Sequence, residues 1–257
     1  MPETDLQEEE LVNEADEDDS SDEPDASSDA EESSYVLLRG PDLLAPADAS
    51  ALAAEFDSRL VVWAGERHSG KTTLSAELYE RHRRGSADTS FVGSETLLGF
   101  EERIHPARVE SGRITPRTPR TESDPEEREL LHLAVRNGTV VENLMFADIP
   151  GELFRRMRDN EIQPDEIPLL AHADKLAIVV DGGLIAESGM RAAAVNFARQ
   201  LISRFKSSTL PVHRMDVALL LTKLDQVLEA GSGAITYWEK QEEMLLTALR
   251  EVSGEAL

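Results

Sequence analysis

Gly65-Glu66-Arg67-His68-Ser69-Gly70-Lys71-Thr72 carries two glycines five positions apart, the second followed directly by lysine and threonine. This is the spacing of a phosphate-binding loop. The glycines let the backbone curl until consecutive N–H groups converge on an anion. The Lys71 ammonium adds a mobile positive charge near terminal phosphates, and the Thr72 hydroxyl is suited to coordinate Mg²⁺. Such a loop needs a strand before it and a helix after it. Arg59-Leu60-Val61-Val62-Trp63-Ala64 is short, apolar and partly β-branched, which reads as a buried strand. Thr72 to Arg81 reads as a helix with Leu74 and Leu78 four apart on one face.

Working outward, strands and helices alternate. Leu130–Val135 and Val140–Ala147 flank Arg136-Asn137-Gly138-Thr139, and Asn-Gly between two apolar runs predicts a hairpin. A helix is expected near Glu152, a buried strand over Lys175–Asp181 and a long helix over about Met190–Phe205. A strand over Asp216–Leu221 and a final helix over about Ala234–Val252 follow. The alternation predicts an α/β fold with a mostly parallel sheet, the hairpin adding one antiparallel strand. Upstream, the ordered part is expected to begin at Tyr35, with a short helix over Asp48–Phe56. Residues of about 85–128 are dense in Gly, Pro, Ser, Thr and Arg and read as a long loop, interrupted by a brief helix over Ser94–Glu101 capped by Ser94. A loop of that length inside a compact domain is usually functional.

The chain has 257 residues and a formal charge of −25, unevenly spread. Residues 1–34 hold 16 Asp or Glu and no Lys or Arg; subtracting those 16 from 51 leaves 35 acids against 26 bases. The first 34 residues are also Ser-rich and poor in large apolar side chains, so they predict a disordered acidic tail. Residues 35–257 are enough for one α/β domain. The acidic body argues against nucleic-acid binding and against attraction to anionic membranes. There is no cysteine, which excludes disulfides, thiol chemistry and thiolate metal sites. The six histidines show no metal-ligand spacing near acids. Without a signal peptide or an apolar run of about 20 residues, the expected location is the cytoplasm.

Two more motifs fall at the carboxyl ends of expected strands, where open α/β sheets place ligands. Asp148-Ile149-Pro150-Gly151-Glu152 offers Asp148 to hold Mg²⁺, directly or through water, and the Gly151 N–H to a γ-phosphate. Thr222-Lys223-Leu224-Asp225 offers a carboxylate that can accept hydrogen bonds from N1–H and the 2-amino group of guanine. Adenine lacks that donor pair, and an unpaired buried acceptor is costly. The Lys223 stem can lie along the base plane.

The three motifs in this order resemble the GTP-binding motifs of the Ras-like, translation-factor-related (TRAFAC) branch of P-loop GTPases. The resemblance covers about residues 58–226. Within that branch Asp148–Glu152, Val180-Asp181-Gly182-Gly183 and Phe91-Val92-Gly93-Ser94 look most like bacterial double-GTPase-like proteins. The resemblance implies a three-layer Ras-like sandwich and GTP or GDP bound with Mg²⁺. It implies loop contacts from Gly65, Glu66, Arg67, His68, Ser69, Gly70, Lys71, Thr72 and Thr73, a γ-phosphate contact from Gly151, and base contacts from Thr222, Lys223 and Asp225. Thr72 and Asp148 would serve Mg²⁺, joined by a switch-loop threonine: Thr121 is favoured as nearest the next strand, with Thr118 and Thr115 as alternatives. Lys71, Thr121 and Glu152 are the candidate catalytic residues. A protein effector or partner GTPase is the implied partner.

Three departures from that pattern bear on turnover. Arg67 and His68 stand where small residues are usual, and Glu152 stands where a water-orienting glutamine is common, so slow hydrolysis is expected. The family's last strand and its base-contacting motif have no counterpart in the sequence. Arg155, Arg156 and Arg158 read as a basic helix face rather than as arginine fingers, and Trp63 and Trp238 as core. The reading is a nucleotide-dependent switch, with a non-hydrolysing scaffold and a P-loop ATPase as its rivals.

Overall fold

The computed structural model describes residues 42–85, 89–105 and 130–254. Six strands, β1 (Ser58–Gly65), β2 (Thr89–Gly93), β3 (Leu130–Asn137), β4 (Val140–Ala147), β5 (Lys175–Asp181) and β6 (Asp216–Thr222), form one sheet in the order β2-β3-β4-β1-β5-β6. Strand β1 lies at the centre, parallel to β4 and β5, and β5 is parallel to β6. Strand β3 alone runs backwards, antiparallel to both β2 and β4. Among the described residues no strand pairs with the outer side of β6.

Alternating residues of the central strands feed two cores, because successive side chains leave a strand on opposite faces. Val62, Ala64, Leu176, Ile178 and Val180 face one side. There they meet helices α4 (Gly151–Arg158), α5 (Pro168–Ala171), α6 (Gly182–Ala186), α7 (Arg191–Ser207) and α9 (Ser232–Ser253), with Phe154, Leu170, Ile185, Leu201 and Trp238 among the buried contributions. Val61, Trp63, Ala177 and Val179 face the other side, toward α2 (Lys71–Arg83) and α3 (Leu97–Ile104), where Tyr79 and Phe100 are buried. Trp63 stacks on Phe146 with ring centroids 5.8 Å apart, and its indole N–H donates to Ser75 Oγ at 2.8 Å. Both tryptophans are therefore core residues, as read.

A short helix α1 (Pro46–Glu55) precedes β1, close to its expected place. Two elements differ from the sequence reading. The stretch of about 85–128 is not loop throughout, since β2 adds an edge strand there. The brief helix begins three residues later than expected, at Leu97, and Ser94 does not cap it. The Ser94 hydroxyl instead donates to the His132 carbonyl at 2.6 Å and accepts from the Thr96 N–H at 3.0 Å. The hairpin turn is Gly138-Thr139, with Asn137 still paired to Val140 at the strand end. The acidic stretch 1–34, the start at Tyr35 and Thr115, Thr118 and Thr121 lie outside the described residues.

Candidate functional site

Because β1, β4, β5 and β6 are parallel, their carboxyl ends share one edge of the sheet: Val62 lies opposite Ala147, Gly65 opposite Val179, and Asp181 opposite Thr222. That edge brings together all three motifs. Gly65 closes β1, Glu66–Gly70 form the loop, and Lys71, Thr72 and Thr73 open α2. Gly70 has φ +90°, the left-handed backbone favoured by glycine. His68 also sits in that region, at φ +64°, a conformation that costs a non-glycine residue about 1–2 kcal/mol. Arg67 and His68 are exposed, whereas Ser69 and Lys71 are buried.

The Lys71 ammonium folds back under the loop, donating to the carbonyls of Gly65 at 3.1 Å and Glu66 at 3.0 Å. Burial holds its pKa below the ordinary lysine value, against the opposing pull of Asp148, Glu152 and Glu66. The Thr72 hydroxyl donates to Asp148, 2.9 Å from Oδ2 and 3.2 Å from Oδ1. A hydroxyl from one element and a carboxylate from another form a pair of hard oxygen donors, the chemistry that suits Mg²⁺. Among the described residues no group of three or more His, Asp or Glu gathers as a metal cluster.

Asp148 follows β4, and Gly151 and Glu152 open α4. Gly151 lies hard against the loop: a Cβ built there would stand 2.3 Å from the Arg67 nitrogen, so only glycine allows this approach. One residue on, Glu152 pairs with the Arg67 guanidinium at 3.1 Å, both side chains being partly exposed. Two arginines of α4 have acidic partners of their own. Arg156 pairs with Glu161 at 3.4 Å. Arg158 pairs with Asp159 at 2.7 Å and lies over the Phe197 ring. These contacts fit a basic helix face.

At the other end of the edge, the Thr222 hydroxyl donates to the Ser69 carbonyl at 2.7 Å, tying the third motif to the phosphate loop. Its second contact is the Val180 carbonyl at 3.1 Å. Lys223 takes left-handed backbone, φ +49° and ψ +41°, before the helix α8 (Leu224–Glu229), which presents Asp225 exposed in its first turn. The Lys223 ammonium meets Asp181 Oδ2 at 2.7 Å, and Asp181 Oδ1 accepts the Gly183 N–H at 2.8 Å. Sequence reasoning quoted Asp181 only for its resemblance and gave it no role. The available signal was its place, a carboxylate at the end of a buried strand alongside the other motifs.

The described chain resumes at Leu130, paired with Ala147 directly before Asp148, so β3 begins at this same edge. No helix among the described residues is long and apolar enough to cross a membrane. A family model described as Double-GTPase 2 matches residues 59–255. Among curated proteins there is no match.

Proposed function

The chain belongs to the Double-GTPase 2 family, a family of GTP-binding proteins, and from that premise we propose that it is a switch that hydrolyses GTP slowly. The observation that carries this reading is the convergence of three motifs on one sheet edge, linked to one another by Thr72–Asp148, Gly151–Arg67 and Thr222–Ser69 contacts. In this reading residues 65–73 hold the phosphates, Thr222, Lys223 and Asp225 hold the guanine, and Gly151 offers its N–H to the γ-phosphate. Thr72 and Asp148 would hold Mg²⁺, joined by a threonine of the 100–128 segment, with Thr121 favoured. When bound, the ion would neutralise phosphate charge.

Hydrolysis would be in-line attack of water on the γ-phosphorus. The bond to the bridging oxygen breaks, GDP leaves, and inorganic phosphate carries the new oxygen. Lys71 and the loop N–H groups would meet the charge that develops on the phosphate oxygens. Loss of γ-phosphate contacts would release the 100–128 segment and residues 148–160, which is the change of state. Residues 1–34 are proposed as an acidic tail on this GTP-binding domain, and a protein effector or partner GTPase as the reader.

A second reading is favoured by the Arg67–Glu152 ion pair: with Glu152 engaged by the loop, the protein holds nucleotide without turning it over. Nucleotide released from the purified protein, followed by single-turnover assay with labelled GTP and Mg²⁺, separates these. Bound guanine nucleotide with slow phosphate release is expected. Guanine nucleotide with no phosphate release over hours, partner present, leaves the scaffold. Displacement of labelled GDP by ATP as readily as by GTP makes the Asp225 assignment wrong and leaves the P-loop ATPase.

A further inference from the structure

We propose that Asp181 is a positioning residue for guanine recognition, holding the Lys223 ammonium so that the Asp225 carboxylate stays available to the base. The proposal rests on Thr222-Lys223-Leu224-Asp225 being the base reader. Asp181 is 8% exposed, and a carboxylate so buried needs partners for its charge. It has two: the Gly183 N–H on Oδ1 and Lys223 Nζ on Oδ2. The first bond fixes the carboxylate's orientation, and that orientation fixes where the ammonium sits. The left-handed backbone of Lys223 fixes the other end of the stem.

Lysine is a point charge on a flexible stem, free to pair with whichever carboxylate comes within its reach. Asp225 lies two residues on, exposed, and makes no hydrogen bond or ion pair among the described residues. Asp181, on the neighbouring strand, holds the ammonium instead at 2.7 Å. A site selects a base by its donor pair only when the acceptor is not already satisfied from within. Sorting the charges in this way leaves one carboxylate for the lysine and one for the ligand.

Asp181→Asn on the full chain isolates the charge, since the amide oxygen still accepts the Gly183 N–H. Competition against fluorescent GDP is read with unlabelled GDP, IDP and ADP; inosine lacks the 2-amino group. GDP affinity should fall by about tenfold, and the GDP-over-IDP preference should shrink, because the released ammonium turns to Asp225. The double variant Asp181→Asn with Lys223→Met keeps the stem and removes the competing charge, and should recover most of both losses. Thermal melting verifies that each variant is folded. Asp181→Asn indistinguishable from wild type overturns the proposal. So does a double variant no better than Asp181→Asn, which would reduce Asp181 to a structural support. Wild type that fails to prefer GDP over ADP removes the base reader itself, a result distinct from selective wild type with an unaffected variant.

Discussion

The phosphate end and the base end of the site are built on opposite plans. At the phosphate end, groups assigned to the ligand are occupied by one another: Lys71 by two loop carbonyls, Thr72 by Asp148, and Arg67 by Glu152. Gly151 closes that arrangement from above. At the base end the internal contacts use atoms the ligand does not need: Thr222 to Ser69, and Lys223 to Asp181. Asp225 stands outside them. The contrast teaches where the cost of binding falls. At the phosphate end a ligand must share or displace the protein's own contacts, Lys71 keeping one of its three N–H donors for it, whereas a base enters a frame that is already set.

The largest effect separating the two plans is expected from Lys71→Met. Nucleotide affinity should fall at least about a hundredfold, since a charge-assisted contact to phosphate is lost from a buried site. The melting temperature without nucleotide should hold or rise, because a buried ammonium hydrogen-bonded only to carbonyls is costly, and burial outweighs the pull of the nearby carboxylates. A large fall in melting temperature would break the comparison. Next is Asp225→Asn at the base end. It should move preference from guanine toward xanthine by about tenfold or more, because the amide offers a donor where xanthine has a carbonyl. Base competition reads it, and unchanged preference removes Asp225 from the site.

Gly151→Ala puts a methyl group 2.3 Å from the Arg67 nitrogen. The approach of α4 to the loop must open, at a cost of about 1–3 kcal/mol in denaturant melts without nucleotide. Smaller still in stability is the Arg67–Glu152 pair: being partly exposed, it should contribute under about 1 kcal/mol. Its signature is the GTP-to-GDP affinity ratio. Arg67→Ala leaves Glu152 to repel a γ-phosphate and should lower the ratio several-fold, while Glu152→Gln should raise it. Equal ratios in both variants would place the pair away from the terminal phosphate.

The last test concerns what the phosphate end stands on. His132, in β3 beside β4, takes the Glu95 N–H on Nδ1 at 3.0 Å and meets Asn143 Oδ1 through Nε2 at 3.1 Å. Burial pushes its pKa down, opposed by Asn143 and Glu95. Burial also pushes down His82. With the folded value below the unfolded one, the unfolded chain takes up the proton first. The associated stability is full above about pH 6.5 and is lost as pH falls below it. Hydrogen exchange should show β3 and β4 loosening in mild acid before β5 and β6, and His132→Gln should blunt that order.

Much of the fold was legible because the central strands are nearly pure apolar runs bounded by motif residues. Lys175–Asp181 needed no context, since seven residues ending in a carboxylate leave little but a buried parallel strand. Strand β2 was not legible. Thr89–Gly93 alternates exposed and half-buried positions and is irregularly paired, so its pattern resembles the loop around it. The helix after it was misplaced because Ser94 sits like a cap in sequence while its hydroxyl serves a strand 38 residues away. Within the site, the three motifs announce themselves by spacing. Asp181 does not, because its importance comes from a lysine 42 residues downstream, just past the end of the adjacent strand.

The family match begins at residue 59, yet the body of the fold is stitched together from further upstream. Leu44 and Leu130 exchange backbone hydrogen bonds at 2.8 and 3.0 Å, and the Asp57 carbonyl accepts both the backbone and side-chain N–H of Asn143. The Asp42 carbonyl lies so close to Gly99 that a Cβ there would stand 1.8 Å away. Anyone trimming the protein for crystallography or for a binding assay should therefore cut ahead of Asp42. A fragment starting at the family boundary would remove the backbone partner of Leu130 and leave both Asn143 N–H groups without the Asp57 carbonyl.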